Sequence, residues 1–139
     1  MEITAITLQT VDANQNIQFS DDAVPGCPSI IHRPGSGLVT LRGLTSQCRA
    51  RFKVFFSGNV GIPAAGTVAP ISLAIAINGE AIASSEMIST PAAAEEFNNV
   101  SSAVYIDVPA FCCITASVRN TSTAPIDVQN ANLIIERVA

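Results

Sequence analysis

The chain is a series of short runs in which apolar and polar residues alternate, separated by clusters of glycine, proline, asparagine and serine. Alternation with a period of two is typical of half-buried β-strands, because successive side chains point to opposite faces of a sheet. The clearest run covers residues 49–57, where Ala50, Phe52, Val54 and Phe56 share one face. Helical periodicity is nearly absent, so the pattern predicts an all-β protein.

The alternation predicts about ten antiparallel strands, a number and spacing typical of a Greek-key sandwich or barrel. Asn78-Gly79 predicts a type I′ hairpin turn, which needs two residues of positive φ. A short turn is expected at residues 91–96, a further turn at 43–46, and long projecting loops at 21–28 and 58–70. The predicted strands cover residues 3–11, 17–19, 29–33, 38–42, 49–57, 71–77, 80–89, 97–108, 112–120 and 127–138.

Length and composition predict a single domain, residues 1–139, that associates with other subunits. Of the 139 residues, 48% are hydrophobic and only 13% charged, against about 25% charged in an average chain. Because large exposed apolar patches are rare on monomers, the surplus apolar residues predict a buried subunit interface.

Charge and hydropathy argue against two classes of partner. The net charge is −4 and the seven basic residues are scattered, which is no footprint for binding nucleic acid. No run approaches the roughly 18 apolar residues of a membrane span. The start of the chain, residues 1–4, lacks the basic and apolar regions of a signal peptide. We therefore expect a protein that stays in the cytoplasm of the cell that makes it, or leaves inside a released particle.

Candidate chemistry is sparse, and we predict no catalytic residue, no cofactor and no metal. His32 is the only histidine and has no acidic neighbour in sequence, so a structural role is favoured over that of a general base. Asp12-x-Asn14-x-Asn16 resembles half of a calcium loop but lacks its glycine and its final glutamate. The adjacent Glu95 and Glu96 do not form a convergent carboxylate pair. The chain is expected not to be an enzyme.

The four cysteines, Cys27, Cys48, Cys112 and Cys113, do not have the spacing of a zinc site. Cys48 is in phase with the buried face of the strand at 49–57, and Cys112 is in phase with that of the strand at 112–120. Both are therefore predicted to be buried free thiols. A disulfide between them remains an alternative that spacing alone does not decide.

Three predicted strands are apolar on both faces, although a two-layer sandwich needs only one apolar face per strand. Phe55 breaks the rule at 49–57 and Tyr105 breaks it at 97–108. Leu133 and Ile135 break it in the last strand, out of phase with Ile134. We predict that Phe55, Tyr105, Leu133 and Ile135 lie at a second buried surface, the subunit interface.

The order of these elements resembles the trimeric jelly roll of tumour necrosis factor and C1q, above all its small bacterial and phage versions. The likeness rests on the strand at 49–56, the hairpin at Ile77-Asn78-Gly79, the segment Tyr105-Ile106-Asp107-Val108-Pro109 and the closing strand at 131–137. The resemblance implies a homotrimer whose inner sheet, made of strands 3–11, 49–57, 97–108 and 127–138, packs around a threefold axis. Residues 1–139 contain no collagen-like Gly-X-Y repeat and no membrane-anchor run, so we expect a trimer without the family's stalk and anchor.

A trimer without stalk or leader predicts a structural component of a virus particle: a decoration protein, or head-fibre knob, on a phage capsid. Its expected partners are copies of itself and a capsid or particle surface protein, and its expected location is the virion, assembled in the host cytoplasm. The alternative is a receptor- or glycan-binding module at a fibre tip. The alternative needs exposed aromatic residues, and the chain has no tryptophan and one tyrosine.

Overall fold

The strands of the computed structural model alternate buried and exposed side chains, as the sequence pattern requires. The structure describes residues 1–44 and 48–139, so Thr45 and Ser46 of the turn predicted at 43–46 lie outside the described residues. A single turn of 3-10 helix covers Ala83–Ser85. The strands are β1 Glu2–Ala5, β2 Gln9–Val11, β3 Asp21–Val24, β4 Ile30–His32, β5 Val39–Arg42, β6 Arg49–Gly61, β7 Ile71–Ile77, β8 Glu80–Ala81, β9 Met87–Ser89, β10 Asn98–Pro109, β11 Cys113–Asn120 and β12 Ile126–Arg137.

These strands form two six-stranded sheets. The front sheet has the order β10-β6-β12-β1-β3, and β2 also pairs with β12. The back sheet has the order β4-β5-β11-β7-β8, and β9 also pairs with β7. Every pairing is antiparallel, which confirms the predicted all-β jelly-roll sandwich. The four strands expected to share the inner sheet all contribute to the front sheet.

The core lies between the two sheets, and β6 fills much of it. Ala50, Phe52, Val54 and Phe56 are all fully buried, which confirms the face predicted for this strand. Large buried side chains from the front sheet meet those of the back sheet in one continuous cluster; they include Ile3, Phe52, Phe56, Leu133, Leu41, Leu73 and Ile75.

The predicted hairpin after β7 is confirmed, but its return strand is interrupted. Asn78 and Gly79 have φ values of 51° and 83°, as a type I′ turn requires. Two short strands separated by the 3-10 helix replace the single strand predicted at 80–89. The cause is Ser85, whose hydroxyl accepts from the backbone N–H of Ile75 at 2.9 Å and donates to the carbonyl of Ile82 at 2.7 Å. The Ser85 hydroxyl thus replaces the backbone carbonyl that would accept the hydrogen bond of Ile75 in a continuous strand.

The N-terminal third differs most from the sequence prediction. The strand predicted at 3–11 is divided into β1 and β2. Residues 17–19 form no strand, because the N–H of Ile17 bonds to Val118 while that of Phe19 bonds to Ser36, so the segment crosses between partners. Both side chains are nonetheless fully buried. The loop predicted at 21–28 in fact begins with β3, and the loop predicted at 58–70 is shortened to residues 62–70 because β6 extends to Gly61.

A β-bulge in β12 reverses the predicted inward and outward faces of its second half. The register of β12 against β6 shifts between Gln129 and Asn132, and Asn130 has a φ of 54°. One extra residue in a strand moves every later side chain to the opposite face. Leu133 and Ile135 therefore point into the core and are at most 1% exposed. The prediction that these two residues lie at a subunit interface is wrong.

Candidate functional site

The outward-facing side of the front sheet carries a contiguous apolar surface, here called the front face and defined by Phe55, Ala103, Tyr105 and Ile134. Strand register places Phe55 directly between Ala103 of β10 and Ile134 of β12. Tyr105 lies in the next row, opposite Lys53. The Tyr105 side chain is 66% exposed and that of Ile134 37% exposed. An aromatic ring so exposed beside other apolar groups is typical of an interaction surface.

The front face also has a shallow depression that a side chain can enter. A cavity of about 170 Å³ is lined by Lys53, Phe55, Ile134 and Glu136. Tyr105 lies on β10, which is the edge strand of the front sheet, whereas the depression lies on the next two strands inward. The face therefore presents a protruding ring and a separate recess side by side.

An ion-pair cluster borders the front face on β6 and β10. The Arg51 guanidinium donates two hydrogen bonds to the Asp107 carboxylate, at 2.8 and 3.1 Å, and Arg49 lies 3.7 Å from the same carboxylate. The hydrogen bonds from Arg51 lower the pKa of Asp107, and those same hydrogen bonds raise the pKa of Arg51. The apolar face is thus flanked by a charged rim, as in interfaces that have an apolar centre.

The lowered pKa of Asp107 predicts a pH dependence with a defined sign. Because the folded state depresses this pKa, the ion pair contributes its stability above the ordinary carboxyl pKa of about 4 and loses it as the pH falls through the lower, folded value. The contribution is small because the pair is exposed to solvent. An NMR titration should place the Asp107 midpoint below that of an ordinary aspartate, and Arg51→Gln should raise it. An unchanged midpoint in Arg51→Gln would contradict the assignment.

The structure brings together two of the four residues predicted for the interface. Phe55 and Tyr105 lie on the front face, and Leu133 and Ile135 lie in the core. Ile134, which sequence alternation assigned to the core, occupies the place predicted for its neighbours. The signal that could have revealed this exchange is Asn130, because asparagine adopts the positive φ of a bulge more readily than most residues.

His32 is a structural residue that links β4 to β3. Its side chain is fully buried, Nδ1 lies 2.5 Å from Asp22 and Nε2 lies 2.9 Å from the carbonyl oxygen of Ser36. The acidic partner that the local sequence lacked comes from the neighbouring sheet. Both ring nitrogens face oxygen atoms of the protein, so the buried ring connects β4, β3 and the turn at Ser36.

Replacing His32 by leucine should destabilise the fold. The change removes both hydrogen bonds of the ring, and each lost hydrogen bond costs about 0.5–1.5 kcal/mol, because water reaches the partly exposed Asp22 side chain and only partly replaces the lost contacts. Urea denaturation at fixed protein concentration measures the loss. The neighbouring exposed Ile31, changed to threonine, is the control and should shift stability by less than about 0.5 kcal/mol. Equal stability of the two variants would contradict the structural role.

All four cysteines are exposed free thiols, so the prediction that Cys48 and Cys112 are buried is wrong. Each lies one residue before its strand begins, β6 at Arg49 and β11 at Cys113. The alternation of the strand therefore does not extend to either of them. Cys112 follows Phe111, whose φ of 58° turns the chain before β11.

Cys27 is expected to react first with a thiol reagent. A hydrogen bond from the Ser29 side chain is the main cause that lowers the pKa of Cys27, and the thiolate is the reactive form. Without denaturant, mass spectrometry should find all four thiols labelled, and Ser29→Ala should slow the labelling of Cys27 alone. Protection of Cys48 or Cys112 in the native protein would contradict their exposure.

Residues 1–44 and 48–139 contain no group of three or more histidine, cysteine, aspartate or glutamate side chains placed to hold a metal ion. Among the same residues, no helix has the length and apolar character needed to cross a membrane.

Comparison with solved structures identifies the class of fold. The globular domain of the zebrafish complement 1qA protein superposes with a TM-score of 0.64 at 8% identity, covering 96% of this chain and 93% of that one. At so low an identity, the likeness shows the fold alone: this chain has a C1q/TNF-like jelly roll. Two further structures superpose less well. The C-terminal domain of the sugar-binding protein EclA has a TM-score of 0.41 at 16% identity, covering 95% of this chain and 80% of that one. Rabbit GITRL has a TM-score of 0.39 at 13% identity, covering 81% of this chain and 79% of that one.

No protein-family model matches the sequence, and a comparison with curated proteins gives no match.

Proposed function

We propose that this protein is a non-enzymatic structural module that assembles as a homotrimer through its front face. The observation that carries the proposal is the contiguous surface formed by Phe55, Tyr105 and Ile134 on three strands of one sheet. Large exposed aromatic and aliphatic side chains of this kind dominate the energetics of protein interfaces. The C1q/TNF-like fold supports the proposal through the arrangement that the family resemblance implies, with this sheet turned towards a threefold axis.

The front face supplies two complementary features for a contact between copies of the chain. Tyr105 protrudes from the edge strand β10, and the recess beside Phe55 and Ile134 lies further into the sheet. The Tyr105 side chain of one copy can enter the recess of another reciprocally, in a twofold dimer, or in one direction around a closed ring. The arrangement that the family resemblance implies favours the ring of three, and the mass in solution distinguishes the two.

For its biological role, we propose that the trimer decorates the surface of a phage particle, as a capsid decoration protein or head-fibre knob. The module would act by static, multivalent contact, in which three weak contacts to the particle reinforce one another. The low content of charged residues, 13%, supports a protein whose apolar surface is used in assembly rather than exposed.

Particle purification tests this role directly. Gradient-purified phage particles from the source should contain the chain at a fixed copy number that is a multiple of three, retained on capsids from which tails have been removed. Recovery with tail fibres instead would favour the receptor-binding alternative, and absence from particles would contradict both.

Assembly-deficient protein supplies the matched control. Ile134→Lys should lose retention on particles, whereas Ile88→Lys should keep it. Ile88 is 67% exposed on β9 of the back sheet, away from the front face. Loss of retention in both variants would indicate that the front face has no special role.

A further inference from the structure

A second, larger cavity lies at the end of the sandwich where β6 ends and β7 and β12 begin. It has a volume of about 350 Å³, within the usual range of small-molecule sites, about 300–1,000 Å³. Two loops, residues 62–70 and 121–125, form its walls. Most of the lining is aliphatic, and it includes Ile62, Pro63, Pro70, Ile71, Pro125 and Ile126.

One wall of the cavity is fixed by Asn120, a fully buried polar residue. Its amide nitrogen donates to the carbonyls of Val11 at 3.0 Å and Ala124 at 3.1 Å. Its amide oxygen accepts from the N–H of Ser122 at 2.9 Å. The Ser122 hydroxyl in turn donates to the carbonyl of Ser72 at 3.1 Å. This loop is therefore held in place before any ligand arrives, which reduces the entropy that binding costs.

The opposite wall is held as firmly. The N–H of Gly66 donates to the carbonyl of Pro63 at 2.8 Å, and the N–H of Glu95 donates to that of Ile62 at 2.9 Å. A Cβ atom at Gly66 would lie 2.7 Å from the Ile62 side chain, so only glycine permits this close approach. The cavity is a feature built by specific contacts on both sides.

The chemistry of the lining defines the kind of ligand that fits. Ile62, Ile71 and Ile126 are nearly fully buried and form an aliphatic floor. None of the described lining residues is aromatic, so the cavity has no ring on which a sugar could stack. Asp12 is the one charged residue of the lining, and its carboxylate has no salt-bridge partner within the described residues.

We propose that this cavity binds a small ligand with an aliphatic body and a terminal ammonium group. The aliphatic floor covers the hydrocarbon, and each methylene that is buried should tighten binding about fourfold. Asp12 receives the ammonium, and the Thr10 hydroxyl, which donates to the Asp127 carboxylate at 2.7 Å, keeps a lone pair that can accept from it. The proposal is independent of the front face and of the particle role, because none of the lining residues belongs to the front face.

Titration with n-hexylammonium, followed by NMR of the ¹⁵N-labelled assembled protein, tests the proposal. The amides of Gly66 and Ala124 should shift in a saturable way. The neutral n-hexanol should bind about two- to fivefold more weakly at low salt, as expected for the loss of one exposed ion pair. Hexanoate should bind more weakly still. Absence of saturable shifts overturns the site, and equal binding of hexanol overturns the proposed ligand class.

Two variants assign the effect to the cavity. Asp12→Asn should remove the preference for hexylammonium over hexanol and leave hexanol binding unchanged. Asp21→Asn, an exposed carboxylate on β3 that does not line the cavity, should preserve the preference. Ala124→Phe should block both ligands by filling the cavity. Equal loss of the preference in the two aspartate variants would show a general charge effect and overturn the role of Asp12.

Discussion

Replacing Ile134 with lysine should leave the chain folded and convert the trimer into monomers. Ile134 lies beside Phe55 on the front face and is already 37% exposed in one chain, so the monomer tolerates a longer polar side chain. In the trimer, the same change buries an additional charged group in the subunit contact, three times over, which costs free energy. The few residues that dominate an interface cost about 2 kcal/mol or more each when they are truncated, and Ile134 is expected to be one of them. Light scattering across a dilution series measures the loss.

Tyr105→Ala and Phe55→Ala should weaken assembly in the same direction, because each removes a ring from the front face. Ile88→Lys is the matched control, since it introduces the same charge at an exposed isoleucine on the back sheet. If Ile134→Lys assembles with the same concentration dependence as Ile88→Lys, the front face is not the interface.

Leu133→Ala should instead destabilise the fold of the single chain. It should lower the free energy of unfolding by about 2–5 kcal/mol, the usual cost of removing a fully buried leucine side chain. Leu133 is completely buried between the sheets, so the change leaves a cavity in the core. Phe52→Ala, in the same core, should cost about 3–5 kcal/mol. Urea denaturation measures both losses. The measurement is cleanest in the monomeric Ile134→Lys background, because assembly otherwise adds to the apparent stability.

The neighbouring pair Leu133 and Ile134 makes this a direct test of the bulge in β12. The stability of Ile134→Ala is compared with that of the wild-type chain at a concentration where both are monomeric. Its loss in free energy of unfolding should be much smaller than the loss that Leu133→Ala causes in the monomeric Ile134→Lys chain. A larger loss for Ile134→Ala would mean that the inward and outward faces had been assigned the wrong way round.

Sequence alternation predicted the core wherever a strand runs without interruption. In β6 the buried residues Ala50, Phe52, Val54 and Phe56 fall at every second position, and the pattern alone located them. The Asn78-Gly79 turn was predictable for the same reason, since its geometry depends on two adjacent residues. Local physical rules suffice where the backbone is regular.

The same rule failed where one residue changes the phase of a strand. Asn130, with its positive φ, shifts β12 by one position and exchanges the faces of Leu133 and Ile134. Cys48 and Cys112 each lie one residue before a strand begins. The alternation of that strand does not reach them, so it predicts their burial wrongly. Bulges and strand ends depend on the partner strand as well as on local preference, so a single sequence determines them poorly.

The parts of the candidate sites that join distant segments were also beyond sequence reasoning. His32 meets Asp22 across two sheets, and the aliphatic cavity is assembled from residues 10–12, 62–71 and 122–126. Periodicity reports which side of a strand a residue occupies, and it carries no information on which loops meet at the end of a sandwich.

The mass of the protein in solution tests the central claim most directly. Native mass spectrometry at micromolar concentration should show a species of three chains, about 43 kDa, built from the 14.4 kDa chain, and dilution should dissociate it to monomer without a dimer of comparable abundance. A single 14.4 kDa species under the same conditions would contradict the proposed trimer, and with it the role assigned to the front face.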